Sequence, residues 1–216
     1  MAEFIYKKKF IQKILHERRK QRVKFVLAKV DVFSEMSILD IGCGPDGRSL
    51  ENVLPDDYGI TGIDLYEEKD VKIKHPNFTY IQHDATDLSI FKDKQFDLCF
   101  SIGMMEHICD RSVLLKMARE IERVSKQYVI LVPWKWAWIE PHFKVPFFQL
   151  YPYGFKLFIT KLLNLHDLGK KVSSDSSYIN NHYQWLSNTE WRTIFTNSSV
   201  HLMPTCEAIA IIKKNV

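Results

Sequence analysis

Residues 37–50 read SILDIGCGPDGRSL: a short apolar run, Ser37 to Ile41, meets a turn that holds three glycines and a proline. A run of that length and composition reads as a strand, and glycines let the turn take conformations and close approaches that a Cβ would block. A strand ending at Ile41 and a helix beginning near Asp46 place Gly42 and Gly44 at the carboxyl end of a first strand. Open α/β sheets bind ligands there, beside the switch in strand order, and the N–H groups of the following helix favour a carboxylate or other anion.

Working outward, short apolar runs recur with turns or helical patterns between them: YGITGID at 58–64, FTYIQ at 78–82, FDLCFSI at 96–102 and YVILVP at 128–133. Together with 37–41 they make five strands separated by helices, which calls for a mainly parallel sheet covered on both faces. Further on, SNTEWRTIF (187–195) carries Ser187 and Glu190 at capping-box spacing and so starts a helix. VHLM (200–203) and CEAIAIIKK (206–214) follow, separated by Pro204 and Thr205, and read as a hairpin. Phe10, Ile14, Val23, Val26, Leu27 and Val30 recur at helical spacing and predict a long helix over residues 1–30. The chain has 216 residues, no internal repeat and no interdomain linker, so one domain with its own core is expected.

Charge and cysteines bound the function further. Net charge is +4, but residues 1–30 hold ten Lys or Arg against two Glu, which leaves −4 on the rest. The basic segment is either the solvated side of a helix or a contact for an anionic surface such as membrane or RNA. No run of signal-peptide or membrane-span length is present, so a cytoplasmic protein, with peripheral membrane contact as a second reading, is expected. Cys43, Cys99, Cys109 and Cys206 lack metal-ligand spacing and read as free thiols; no metal is expected.

Asp64 ends the second strand twenty residues after Gly44, where its carboxylate can accept both hydroxyls of a ribose, and the pair implies a nucleoside-containing cofactor. The literal G-x-G-x-x-G at 42–47 fits NAD(P), so an oxidoreductase is one reading. Asp40, immediately before the turn, would repel a pyrophosphate and speaks against it.

With HDATDL (83–88) ending the third strand and FDLCFSIGMMEHI (96–108) the fourth, the chain resembles the class I S-adenosylmethionine-dependent methyltransferases, particularly those acting on small molecules. LDIGCGPDG looks like their first motif, GIDLYEE their acidic second, and the 187–214 helix and hairpin their closing antiparallel strand. Asp46 stands where the usual third glycine would be. The resemblance implies a Rossmann-like, doubly wound, seven-stranded, mostly parallel sheet with a C-terminal antiparallel hairpin. It also implies S-adenosyl-L-methionine as cofactor and a small-molecule or lipid-linked acceptor, methylated at O or N. It assigns Gly42 and Gly44 to the methionine portion and Asp40 to its ammonium. Asp64 would hold the ribose, Leu65 would pack on adenine, Asp84 and Ala85 would read the adenine edge, and Ser101 would line the methionine side. A non-catalytic module holding the same cofactor is the remaining alternative. Nucleic acid is disfavoured as acceptor, because the Asn/Asp-Pro-Pro-aromatic signature of base-flipping methyltransferases is absent after the fourth strand.

A hydroxyl acceptor needs a base, and neutral His suits that near pH 7. His107 is predicted at the start of the helix after the fourth strand; His142 lies in an irregular segment fixed by Pro141 and Pro146, two residues after Glu140. Glu106 reads equally as a complement to a helix N-terminus. Residues 134–186 fall outside the resemblance and concentrate Trp134, Trp136, Trp138, Phe143, Phe147 and Phe148 with further aromatics up to Phe158. Three readings fit them: a lid or pocket over the acceptor, a helical subdomain packed on the sheet, or a membrane-facing surface from which Lys135, Lys144, Lys156 and Lys161 reach outward.

Overall fold

The computed structural model describes residues 17, 20–46, 54–165 and 168–214. Its sheet has seven strands: β1 (Ser37–Ile41), β2 (Gly59–Asp64), β3 (Phe78–Gln82), β4 (Phe96–Ile102), β5 (Ser125–Pro133), β6 (Ser199–Leu202) and β7 (Ala208–Lys213). Their spatial order is β3-β2-β1-β4-β5-β7-β6; β1 to β5 pair in parallel, and β7 runs antiparallel to both β5 and β6. The expected doubly wound architecture with its closing hairpin is therefore present. The order reverses between β1 and β4, so the carboxyl ends of these two strands flank the crevice where such sheets take ligands.

The five parallel strands read as nearly continuous apolar runs because both faces are covered. On one face, Leu39, Ile41, Cys99, Ile130 and Ile211 pack against helices α2 (Arg111–Val124) and α6 (Asn188–Ile194), through Leu114, Met117, Ile121, Trp191 and Ile194. On the other, Ile38, Ile60, Leu98, Phe100 and Val129 meet Val23, Val26 and Val30, which lie in and just after the helix α1, residues 20–27. Of the helix expected over residues 1–30, residues 20–27 are helical and lie on this face; Phe10 and Ile14 lie outside the described residues, as does the helix expected after Asp46. Ser187 and Glu190 form the reciprocal capping box that starts α6.

The aromatic segment divides in two. Phe143 and Phe148 stack with centroids 4.0 Å apart and, with Leu168, Val172 and Ile179, form a separate small core under α3 (Tyr153–Leu162), α4 (Gly169–Ser174) and α5 (Tyr178–His182). Tyr151 and Tyr153 pack against this core and Trp134 against the main one, whereas Trp136, Trp138, Phe155 and Phe158 are exposed. Helix α3 is inverted relative to an ordinary surface helix, burying Lys156 and Thr160 while Phe155, Phe158 and Leu162 face out. The expectation that Lys156 reaches outward is corrected: its ammonium lies 4.5 Å from the centroid of Trp185, a cation–π contact that explains how a lysine is held inside.

Candidate active site

The turn after β1 takes its shape from two glycines at positive φ. Gly42 has φ +75°, and a Cβ there would lie 2.9 Å from Met104 Cβ and Cγ, so the element that approaches it is the chain's own loop after β4. Gly44 has φ +69° and nothing within 4 Å of where its Cβ would be, so its missing side chain leaves open space. The Asp64 carboxylate braces this turn: Oδ2 accepts from the Gly44 N–H at 2.9 Å and Oδ1 from the Leu65 N–H at 2.7 Å. Behind it, the Tyr80 hydroxyl donates to the carbonyls of Asp64 and Tyr66, and burial with the Asp64 charge beside it pushes its pKa up to about 12.

Gly42, Asp64, Leu65, Asp84 and Ala85 come together around a cleft of about 520 Å³, completed by Ile63, Met104, Ile108 and Met117. Leu65 is 69% exposed with its apolar side chain at the cleft. Asp84 holds its own turn through an Asx bond to the Thr86 N–H at 2.8 Å. Asp40 and Ser101 are fully buried within β1 and β4 and are not among the residues that line this cleft.

A second cavity, about 530 Å³, opens at the ends of β4 and β5 and is lined by Gly103, Glu106, Pro133, Pro141, His142 and Arg22 among others. The loop Gly103–Ile108 is the wall between the two: Met104 and Ile108 face the first, Gly103 and Glu106 the second. His107 belongs to a 3₁₀ turn, Met105–His107, and not to the start of a helix as the sequence suggests. Helix α2 begins four residues later because Asp110 caps it, accepting from the Ser112 and Val113 N–H groups. Glu106 is thereby freed from any capping role; it is 2% exposed and its Oε1 lies 3.6 Å from His142 Nε2.

His142 sits at the tip of a tight turn closed by the Ile139–Pro146 bridge and by Lys144 N–H donating to the Glu140 carbonyl at 2.7 Å. Its Nδ1 pairs with Glu140 Oε1 at 2.8 Å, and Glu140 also accepts from Trp185 Nε1 and from the Phe143 N–H. Burial opposes charge on Glu140, but these donors outweigh it and hold its carboxyl below the usual range. Burial would likewise lower His142, yet the bond to Glu140 and the charges of Glu140 and Glu106 raise its pKa above the ordinary value. Glu106 goes the other way: burial pushes it up to about 7, with His142 offsetting only part. The His107 imidazole, lowered by burial, donates Nδ1–H to the His182 carbonyl at 2.8 Å and meets the His142 ring edge-on at 5.1 Å. Gln184 ties the insertion to the same wall: its N–H donates to the Glu106 carbonyl at 2.9 Å, and its side-chain amide to the carbonyls of Met105 and Ile108.

Residues 39–132 match the family described as "Methyltransferase domain". The match covers less than half of the chain, the stretch from β1 to β5, and agrees with the resemblance of its motifs to the class I S-adenosylmethionine-dependent methyltransferases. Among its relatives is a ubiquinone biosynthesis O-methyltransferase of Vibrio vulnificus, 30% identical over 104 residues, which are 45% of this chain and 44% of that protein. Another is a 2-methyl-6-phytyl-1,4-hydroquinone methyltransferase of a Synechocystis species, 35% identical over 107 residues, 46% of this chain and 32% of that protein. The matched stretch thus spans less than half the length of either relative. In fold the chain is similar to a SAM-dependent methyltransferase from Aquifex aeolicus, with a TM-score of 0.54 at 16% identity over 88% of this chain and 87% of that one.

The methyltransferase-domain match supports S-adenosylmethionine in place of a nicotinamide as the cofactor. The cleft suits the nucleoside end of the cofactor. Among the described residues it offers an acidic strand end, an exposed leucine, a second aspartate and open space over Gly44, with His83 as the one basic side chain in its lining. What sequence reading left unassigned is the pairing of Glu106 and Glu140 with His142. The sequence carries one signal for it, the Glu-x-His spacing at 140–142; the approach of Glu106, 36 positions away, has none.

Proposed function

We propose that this methyltransferase transfers a methyl group to a hydroxyl of a small, apolar, ring-bearing acceptor of the quinol kind, taken from a lipid surface. The observation that carries the reading is the shared wall at Gly103–Ile108, which sets a cofactor cleft on one side and a buried His/Glu cluster on the other. Asp64 would hold the ribose, Leu65 the adenine face, and Asp84 with the Ala85 backbone the adenine edge. Gly44 would leave room for the methionine portion, Gly42 would shape the turn by admitting Met104 against it, and Asp40 and Ser101 would act from within β1 and β4. When bound, the cofactor supplies an electrophilic methyl on a sulfonium.

The chain's own contribution is to orient the acceptor oxygen, exclude water and accept a proton. His142 Nε2 faces the second cavity with Nδ1–H fixed on Glu140, so it can take the hydroxyl proton while Glu140 stabilises the imidazolium. These residues would hold the acceptor oxygen in line with the methyl that the bound cofactor supplies, the electron pair of the carbon–sulfur bond staying with the cofactor. His107, pinned to the His182 carbonyl and edge-on to His142, holds that ring in place. The names of the two relatives, one an O-methyltransferase and one acting on a hydroquinone, support a hydroxyl-bearing ring as acceptor.

The lipid surface is supported by the outward apolar face. Trp138 at 67%, Leu162 at 67% and Phe158 at 57% exposure belong to one segment with Lys135, Lys144 and Lys161, and the basic residues 1–30 add charge of the sign that anionic lipids attract. Among the described residues no helix is long and apolar enough to cross a membrane.

The test is transfer of labelled methyl from S-adenosylmethionine to a prenylated hydroquinone in anionic vesicles. Product at the ring oxygen is expected. His142→Gln should lower kcat by about 100-fold or more while S-adenosylhomocysteine still binds, in line with loss of general-base assistance. Transfer to nitrogen or carbon acceptors only, or undiminished kcat in His142→Gln, would overturn it. Trp138→Ser with Phe158→Ser should release the protein from the vesicles; retention would remove the lipid-surface part alone.

A further inference from the structure

We propose that Glu106, His107 and His142 bind a divalent transition-metal cation. The inference rests on the acceptor cavity assigned above and names what occupies its inner end. Each residue offers one ligand atom, and the three atoms lie within 4.8 Å of one another. A cation with bonds near 2.1 Å in tetrahedral geometry needs its ligands about 3.3–3.5 Å apart. Glu106 Oε1 and His142 Nε2 already stand at 3.6 Å.

The surroundings are those of a prepared site. A metal-binding imidazole presents one nitrogen lone pair while the other N–H is held by a carboxylate or carbonyl, which fixes tautomer and ring orientation. Both histidines meet this condition by independent contacts: His142 Nδ1–H is held by Glu140 and His107 Nδ1–H by the His182 carbonyl. Each is left with Nε2 as its ligand atom. Glu140 is itself held by Trp185 and the Phe143 N–H, so the supporting layer is complete.

A further observation concerns Glu106. Its Oε2 is buried and makes no hydrogen bond, an uncompensated loss in a purely structural role that a cation held by the same carboxylate would offset. Two imidazoles and one carboxylate select zinc, cobalt, nickel or iron over magnesium and calcium, which prefer oxygen. Three protein ligands leave a coordination position facing the cavity lined by Gly103 and Pro133. An acceptor hydroxyl that coordinates there is acidified by the cation and gives its proton to water, so the base role assigned to His142 above is that of the cation-free site, and with the cation bound the same Nε2 is a ligand.

Titration of the metal-stripped full chain with Co²⁺ and Zn²⁺, by calorimetry and by the visible spectrum of bound Co²⁺, tests this without any acceptor or turnover. One equivalent should bind, with a spectrum of nitrogen- and oxygen-ligated cobalt of low coordination number. His107→Gln, His142→Gln and Glu106→Gln should each weaken binding by about 100-fold or more, and Glu140→Gln by about 10- to 100-fold through the lost support. S-adenosylhomocysteine binding, read at the separate cleft, shows that each variant is folded. A folded protein that takes up neither ion, or one whose affinity survives all three ligand substitutions, overturns the proposal. Because the readout is binding, it stands or falls independently of which acceptor is methylated. Stoichiometric cobalt with no quinol methylation would overturn the function above and leave the site in place.

Discussion

Replacing Asp64 by Ala should damage both the fold and the cofactor site, and the two effects separate in size. In the ligand-free chain the carboxylate accepts from Gly44 N–H at 2.9 Å and Leu65 N–H at 2.7 Å, so it closes the glycine turn onto the end of β2. Hydrogen bonds to a charged acceptor contribute about 1.5–3 kcal/mol each when buried. Asp64 is half-exposed and water replaces part of each bond, so about 1 kcal/mol apiece, ~2 kcal/mol together, is the reasonable magnitude. For a chain of this size that corresponds to a fall in Tm of about 4–8 °C. Losing the ribose contacts removes about 1.5–3 kcal/mol of binding, roughly 10- to 150-fold in Kd. The two hydroxyls can still be accepted in the intact protein because an ionised carboxylate has about four lone-pair sites and the turn uses two. The assay is thermal unfolding without ligand, paired with calorimetry of S-adenosylhomocysteine. Asp84→Ala is the comparison: its carboxylate closes only a local exposed turn, so it should weaken binding with little change in Tm. An Asp64→Ala protein melting within a degree of the parent would refute the brace, and an unchanged Kd would refute the ribose assignment.

Other consequences are equally direct. Gly42→Ala should destabilise by about 2–5 kcal/mol, the positive φ adding to a 2.9 Å collision with Met104, whereas Gly44→Ala should cost about 1–2 kcal/mol from φ alone and mainly weaken cofactor binding; urea unfolding of the pair checks this. Burial opposes charge on Asp97, but its bonds to Lys126 and to the Ser37 N–H and hydroxyl prevail and hold its carboxyl below the usual value. Its stabilisation is therefore present above the unfolded value near 4 and lost as pH falls through the lower folded one, so Asp97→Asn should destabilise by about 1–3 kcal/mol at neutral pH and the gap should close on acidification. Phe148→Ala, inside the small aromatic core, should cost about 3–5 kcal/mol, while Phe158→Ala on the outward face of α3 should change stability by less than about 1 kcal/mol; chemical denaturation of both distinguishes core from surface.

The sequence by itself determined the sheet. Five apolar runs of strand length, a glycine turn after the first and a hairpin at the end are local patterns, and local backbone preference plus two-sided burial leave little freedom in how they assemble. That these residues share a cleft was legible for a related reason: Gly42, Asp64, Leu65, Asp84 and Ala85 all sit at or just past strand ends, so parallel pairing alone brings them to one rim. The acceptor side depended on contacts that sequence does not encode locally. In sequence Glu106 reads equally as a complement to a helix N-terminus and as a functional acid; Asp110 holds the capping position instead. The meeting of Glu106 with His142 across 36 residues is set by how the insertion docks through Gln184 onto the loop after β4. The aromatic residues of the insertion likewise share one composition but have two fates. Which of them are buried was decided by α3 turning Lys156 inward onto Trp185, a tertiary cation–π contact that overrides the side a charged residue would take in isolation.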